Sequence, residues 1–542
     1  MKNLSARGKL IIMVREEMKK IIEKATKELG FKPLEVLVER PKEREFGDYA
    51  TNLAMMVARQ TKKSPMEIAR KIESEIKNYD SGAIEKVEVI EPGFINFFLS
   101  KEYLQKQVGK ILKERACFPK FSKRKPGRVN IEFISANPTG PLTLGNGRGG
   151  FCGDVLANVL EKSGHKVTRE YYINDKGAQI KKLGHSVIGD SEAVYKGVYI
   201  DELRKKLLKA GVSQYSPEGV GERAAKVVLR EMIRPTVKKM GIKFDVWFSE
   251  KSLYRKKEVD KAIKELNKKG FTYESEGAVW FKSKELGDDK DRILIRSDGI
   301  KTYFASDIAY LINKFKRGFK QLIFFVGADH YGYVARLQAA ALAFGYKAEQ
   351  LKFIVMQMVR LFQDGKEIRM SKRSGVYVTL DELLDEVELD AARFFFLQRS
   401  SDTHLNFDMG LAKEKSEKNP VYYVQYAYAR ICSILRKAKN FGRRTSNFGR
   451  ATSKIKKEEF DLIKQLIRFP EIIEDIAKDY QVQRLPIYAL ELVAAFHRFY
   501  ENCRVISDDK ELSRARLGLV LASQKILKNT LDLMGISAPE KM

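Results

Sequence analysis

Apolar positions recur with two different periods, and the changes of period divide the chain. Ile11, Val14, Met18, Ile21, Ala25 and Leu29 lie three or four apart and predict one amphipathic helix. Residues 34–38 and 87–98 alternate instead, as half-buried strands do. A helix followed by strands makes residues 1–115 a small α+β unit. Residues 120–128 are basic, contain Pro and Gly, and mark a boundary. Beyond them short apolar runs alternate with helical periods. Residues 129–134 predict a strand, Phe151, Val155 and Val159 a helix, and residues 165–173 a second strand. The unbroken apolar run 322–326 predicts a strand buried on both faces of a parallel sheet. From about Asp390 the alternation stops and helical periods continue to the end.

Charge narrows the class. The chain carries 101 Lys+Arg against 71 Asp+Glu, a net +30, which points to a polyanionic partner. A generally lysine-rich proteome would give the same excess. Cys117, Cys152, Cys432 and Cys503 lie far apart without a CxxC pair. That argues against a disulfide framework or a cysteine-held metal and fits a reducing cytoplasm. No HExxH motif and no run of 18 apolar residues occurs, so neither a zincin site nor a membrane span is expected. The apolar run 10–14 is too short for a cleaved leader.

Residues 129–154 hold the chemistry. The strand turns through Asn137-Pro138-Thr139-Gly140-Pro141, passes Gly145, Gly147 and Arg148, and becomes helical. Strand, Gly-rich turn and helix N-terminus in that order present free N–H groups and the positive end of a dipole to an anion. Gly145 would let a base or phosphate lie close to the backbone. Neither the GxxxxGK[ST] nor the GxGxxG pattern is present. Far downstream, Arg369-Met370-Ser371-Lys372-Arg373-Ser374-Gly375 puts a lysine on a Gly-flanked loop.

Together these segments resemble the paired signatures of class I aminoacyl-tRNA synthetases. The wording EFISANPTGPL…GNGR is most similar to the arginyl-tRNA synthetase family. The first signature, commonly His-x-Gly-His, stands here as Thr143-Leu144-Gly145-Asn146, similar to the Thr-x-Gly-Asn of tryptophanyl enzymes. Arg369 stands where a lysine is common, and keeps charge but not geometry. The resemblance implies a multidomain α/β protein. A Rossmann-like class I catalytic domain would occupy 125–385, with an insertion at about 185–290. An N-terminal α+β domain for the tRNA elbow would occupy 1–115, and an all-α anticodon-binding domain 386–542. It also implies ATP-dependent ligation of L-arginine to tRNA(Arg) through an arginyl-adenylate, with transfer to the terminal ribose 2′-hydroxyl. Mg²⁺ would accompany ATP, no metal would be held by protein alone, and the enzyme would be a cytoplasmic monomer. Family members generally need tRNA before activation proceeds.

Activation needs no enzyme nucleophile, so catalysis is positioning and charge stabilisation. The expected catalytic groups are Thr143, Gly145, Asn146 and Lys372. The expected ATP contacts are Pro141, Leu144, Gly147, Arg148, Arg369, Met370 and Ser371. A guanidinium calls for planar carboxylates. The resemblance places the arginine pocket at Glu132, Asn137, Tyr303 and Asp307, with Asp329 and His330 beside it. Glu132 could instead pair with a structural arginine, and Asp329-His330 could be a satisfied network. For tRNA, Phe94 and Asn96 would stack on and hydrogen-bond an unstacked D-loop base. Tyr426, Tyr428, Tyr500 and Met542 are anticodon candidates, although tyrosines at helical spacing are more often core. The twice-written Asn-Phe-Gly-Arg, at 440–443 and 447–450, fits either an RNA-holding arm or a solvated loop. Two rivals remain: a class I ligase for another amino acid such as cysteine, and a non-catalytic tRNA-binding paralogue.

Overall fold

A computed structural model describes residues 13–32, 35–79, 82–113, 127–209, 211, 215–328, 332–363, 365–368, 378–438 and 454–542. The first helix, Val14–Glu28, buries Val14, Met18, Ile22 and Ala25, the stripe that the spacing predicts. It packs against the helix Pro65–Lys77, which lies on a three-stranded antiparallel sheet of β1 (Tyr49–Thr51), β2 (Ile84–Ile90) and β3 (Phe94–Leu99), ordered β1-β3-β2. The alternating run 87–98 is therefore a hairpin, broken where Pro92 and Gly93 end the pairing. Residues 35–38 form no strand, and Glu39 makes an isolated bridge to Ala50.

The middle of the chain is built on five parallel strands: β4 (Arg128–Glu132), β5 (Lys166–Ile173), β6 (Val246–Ser249), β10 (Gln321–Gly327) and β11 (Leu351–Met356). Their order, β11-β10-β4-β5-β6, is that of a doubly wound sheet whose direction of winding reverses between β4 and β10. Ligands bind such sheets in the crevice at that reversal, beyond the carboxyl ends of the strands. Glu132, the last residue of β4, stands there. The stretch 185–290 is not one uninterrupted insertion, because β6 returns to the central sheet within it. Helices lie between β5 and β6, and the antiparallel strands β7 (Thr272–Ser275), β8 (Ala278–Phe281) and β9 (Arg292–Ile295) lie between β6 and β10.

Strands β12 (Val359–Gln363) and β13 (Lys366–Ile368) form a hairpin. Strand β14 (Leu405–Asp408) adds to it in parallel, so one strand follows the point where helices begin to dominate. Helices from Pro420–Lys437 to Lys510–Met534 complete the chain. The N-terminal domain docks on this helical part through buried charge. Glu471 accepts from Tyr49 (2.6 Å), Arg40 Nε (2.9 Å) and the Arg15 backbone N–H (3.1 Å).

Candidate active site

Alternation along β4 sorts the site into two faces. Ile131 and Phe133 are buried beneath the helix Leu144–Lys162, and a Cβ on Gly153 would lie 2.4 Å from the Phe133 ring. A Cβ on Gly150 would meet Met240 at 2.6 Å, and one on Gly147 would meet Leu380 at 2.7 Å. The glycine run of the signature is thus explained largely by close helix packing. Gly147 belongs to that packing. Gly145 differs: among the described residues the only atom near its missing Cβ is Thr143 Oγ1 at 3.9 Å, so that face is open to them.

Thr143 caps the helix. Its backbone N–H and its hydroxyl both donate to Asn146 Oδ1, each at 2.9 Å. The two polar groups that replace the signature imidazoles therefore orient each other, a capping-box arrangement. Leu144 is buried at 1% exposure and contributes packing rather than a surface for nucleotide. Arg148 also departs from expectation. Its side chain is fully buried, and the guanidinium donates to the carbonyls of Gln357 (2.8 Å), Thr403 (2.8 Å) and Ser400 (2.7 Å). Arg148 fastens the helix to the strand-end loops and is not free for phosphate. Pro141 is half-buried beside the turn.

Arg369, Met370, Ser371 and Lys372 lie outside the described residues, as do Asp329, His330 and both Asn-Phe-Gly-Arg copies. The residues that follow the lysine segment are described. Thr379 bridges to Thr143, and Leu380 N–H donates to the Leu142 carbonyl at 2.9 Å. That bridge ties the turn at Thr143 to residues just after the lysine segment, more than two hundred positions away in sequence.

The other face of β4 carries Asn130 and Glu132. In register on β5, Glu132 faces Glu170. Like charges side by side on neighbouring strands are unfavourable, and a cation resolves them. Lys314, from the helix Tyr303–Lys316, is fully buried and donates to Glu132 Oε2 (2.6 Å) and Asn130 Oδ1 (2.7 Å). It also lies 3.7 Å from Glu170 Oε1. Arg317 adds a forked pair to Glu170, at 2.6 and 2.8 Å, and Tyr310 a hydroxyl at 2.6 Å. Burial pushes the Glu170 carboxyl up, but Lys314 and Arg317 outweigh it and hold it below the usual carboxylate range.

Asp307 sits on the same helix, two turns before Lys314, and has no such partner. Among the described residues no hydrogen bond or ion pair reaches it. Burial first, then the neighbouring Glu250 and Glu132 charges, raise its carboxyl well above the usual range. Glu250, at the carboxyl end of β6, is 3% exposed, and its Oε2 is unpaired. Burial and then Asp175 push it up to about 7, against the opposing pull of Ser306. Tyr172, 6% exposed at the end of β5, has a hydroxyl unpaired among the described residues and feels the charge of the same three acids. The arrangement is an anionic hollow with more carboxylates than cations, which suits a positively charged ligand. Glu250, Tyr172 and Lys314 were not picked out from the sequence. The available signal was an acid directly after the apolar strand 246–249, and a lysine inside an otherwise apolar helix face.

Tyr303 opens that helix at 50% exposure, and its hydroxyl accepts from Ala178 N–H at 2.5 Å. Gly177 has φ +93°, and a Cβ there would lie 2.6 Å from the Tyr303 hydroxyl, so only glycine fits. Asn137 is exposed at the turn and accepts from Asn174 Nδ2 at 2.7 Å. Glu132 and Asp307 are thus electrostatic neighbours, with Glu132 already engaged by Lys314, while Asn137 and Tyr303 are held by Asn174 and Ala178.

Two further surfaces carry RNA-type chemistry. In the N-terminal domain a cavity of about 380 Å³ is lined by Arg40, Lys42, Phe46, Asn52, Phe94 and Asn96. Phe94 is 40% exposed, whereas Asn96 is 3% exposed, and the buried Asn52 Oδ1 has no partner. In the helical domain Tyr426 and Tyr500 are each 39% exposed. Arg430 lies over both rings, 4.9 and 5.6 Å from their centroids, and donates to the Tyr426 hydroxyl. Sequence reading missed Arg430, although it follows Tyr426 by one helical turn. Tyr428 is buried at 3% and belongs to the core, while Met542 is 52% exposed.

The comparisons with known proteins agree along the chain. Residues 16–99 match the family model "Arginyl tRNA synthetase N terminal domain". Residues 107–408 match "tRNA synthetases class I (R), catalytic domain", and 424–542 match "DALR anticodon binding domain". A curated arginine–tRNA ligase of Halalkalibacterium halodurans is 44% identical over 526 residues, 94% of each chain. That of Caldanaerobacter subterraneus subsp. tengcongensis is 43% identical and covers 98% of this chain and 100% of the relative. The solved arginyl-tRNA synthetase of Thermus thermophilus superposes with TM-score 0.78 at 25% identity, over 98% of this chain and 100% of the other.

Proposed function

Because the chain belongs to the class I arginyl-tRNA synthetase family and attaches arginine to tRNA at the expense of ATP, we propose that the cleft at the ends of β4, β5 and β6 activates arginine and passes it to the terminal ribose. The arginine carboxylate attacks the α-phosphorus of ATP and diphosphate leaves; the 2′-hydroxyl then attacks the arginyl carbonyl of the adenylate, loses its proton and expels AMP. The observation that carries this reading is the carboxylate of Asp307, unpaired among the described residues and raised by burial and by Glu250 and Glu132. A guanidinium entering there supplies the missing positive charge and planar donors for two acids at once. Glu132, tied to Lys314, shapes the floor, and Tyr303 covers the mouth beside Gly177.

ATP would lie along the open face of Gly145, with its phosphates toward the first N–H groups of the Leu144–Lys162 helix. Thr143 and Asn146 hold that turn through their shared bond. Lys372 would reach the phosphates from the segment that precedes Thr379, whose bridge to Thr143 lies at the turn. Arg369, Met370 and Ser371 flank it. Mg²⁺ would enter on the phosphates as part of the nucleotide substrate. Phe94 and Asn96 would take a D-loop base, and Tyr426, Arg430, Tyr500 and Met542 the anticodon loop. The enzyme would act as a cytoplasmic monomer.

ATP–diphosphate exchange with each amino acid, with and without tRNA, tests the reading. Exchange with arginine alone among the amino acids supports it. Exchange with cysteine, or with none, sinks it.

A further inference from the structure

Arg393 lies outside every site described above, yet it is among the largest fully buried side chains, 2% exposed on the helix Leu389–Leu397. Its guanidinium joins three separate elements. Nη1 donates to Asp154 Oδ2 of the signature helix and to the Met534 carbonyl, both at 3.0 Å. Nη2 donates to the Met240 carbonyl at 2.8 Å. Met534 ends the last helix of the chain, and Met240 directly follows the helix Arg234–Lys239. Both carbonyls therefore sit at the negative ends of helices, where a cation is favoured. The backbone closes around the group: a Cβ on Gly535 would come within 2.3 Å of Nη1.

Neighbouring contacts repeat the connection. Asn158, one turn past Asp154 on the signature helix, donates to the Leu533 carbonyl at 3.0 Å. Asp390, one turn before Arg393, accepts from the Ser537 N–H (3.1 Å) and from Gln425 Nε2 (2.8 Å). Gln425 is on the helix that also presents Tyr426 and Arg430. Phe151 and Phe396 pack beneath, with ring centroids 5.4 Å apart. Asp154 and Thr143 are eleven residues apart on one helix, about 16 Å of rigid rod.

We propose that Arg393 is a positioning residue for amino-acid activation, holding the signature helix in register with the tail of the tRNA-binding helical domain. It touches no substrate and acts through Asp154 and the helix to the Thr143–Asn146 turn. The inference rests on reading that turn as the ATP site. A planar fork with three acceptors on three elements fixes their relative position, whereas an ammonium group is a point donor that cannot span them.

The test compares Arg393→Lys and Asp154→Asn with the parent enzyme. Turnover per titrated active site, KM for arginine and ATP, tRNA affinity and melting temperature are measured together. The expected result is at least a ~10-fold fall in kcat for Arg393→Lys, with KM values and tRNA affinity within about threefold. Asp154→Asn, which leaves the guanidinium and both carbonyls in place, moves the same way by less. Unchanged kcat per active site in both variants overturns the proposal, whatever happens to the melting temperature. Lys372→Ala is assayed in parallel. If it too leaves kcat unchanged, the ATP-site reading has failed; if it slows turnover while the other two do not, only the role of Arg393 has failed.

Discussion

Lys314 Nζ lies 2.6 Å from Glu132 Oε2 and is wholly buried, so the acid at the strand-order reversal already has a protein cation. Asp307, two turns back along the same helix as Lys314, has none among the described residues. Charge balance therefore separates an acid held by a protein cation from Asp307 and Glu250, the raised acids that the proposed reading assigns to the substrate.

Substitution should reveal that division. Asp307→Asn removes an acceptor meant for a guanidinium, and is expected to raise the arginine KM or lower kcat/KM by ~10–100-fold, the scale of one charge-assisted hydrogen bond. Glu250→Gln should act similarly. Steady-state kinetics with varied arginine checks both, and arginine use unchanged in both variants removes the pocket assignment.

Lys314→Met should instead be a stability variant. It strands Glu132 beside Glu170, and loss of one partner from a buried ion pair costs roughly 3–5 kcal/mol. Arg317 still reaches Glu170, so the lower end of that range is expected. Urea melts measure it, and a change below about 1 kcal/mol would contradict the buried network.

The raised acids make arginine binding pH-dependent. Glu250 is pushed up to about 7, and Asp307 is raised as well. Folded-state values above the unfolded ones mean that the empty protein binds extra protons. Their contribution to stability is full below the ordinary carboxylate pKa and is lost as pH rises toward the folded values. A guanidinium binds the ionised forms, so arginine uptake releases protons. Its affinity should rise from about pH 6 to about pH 8, with a bend near 7, and that slope should flatten in Glu250→Gln. Calorimetry in buffers of different ionisation enthalpy reads the proton release directly.

The tRNA surfaces should behave separately from the cleft. Phe94→Ala and Arg430→Ala are expected to raise KM for tRNA by ~5–100-fold, the range for one lost base stack or cation–π contact. The KM values for arginine and ATP should stay near parent values. Equal losses in all three constants would assign these residues to folding instead.

Gly147→Ala should disturb the turn through packing alone, because the new methyl would stand 2.7 Å from Leu380. Overpacking of this kind costs about 1–3 kcal/mol. Leu380 is a flexible side chain, so pairing the change with Leu380→Ala should recover most of the lost activity. No recovery would mean that Gly147 faces the nucleotide after all.

Local pattern was enough for much of this protein. The β4 strand, the Gly-rich turn and the helix after it were legible, because residues close in sequence decide them through period, turn chemistry and helix propensity. So were the parallel β10 run, the amphipathic first helix and the helical tail. The wording of two short segments was enough to suggest the family. What those patterns could not contain was pairing between distant residues. Nothing local shows that Arg148 spends its guanidinium on the carbonyls of Gln357, Ser400 and Thr403. The same is true of Glu132 finding Lys314 across 182 positions, and of Glu250 coming from the end of β6 to face Asp307. A carboxylate reads the same in sequence whether it is neutralised or vacant. Its role is fixed by which charges the fold brings within a few ångströms, and by how much water the fold removes.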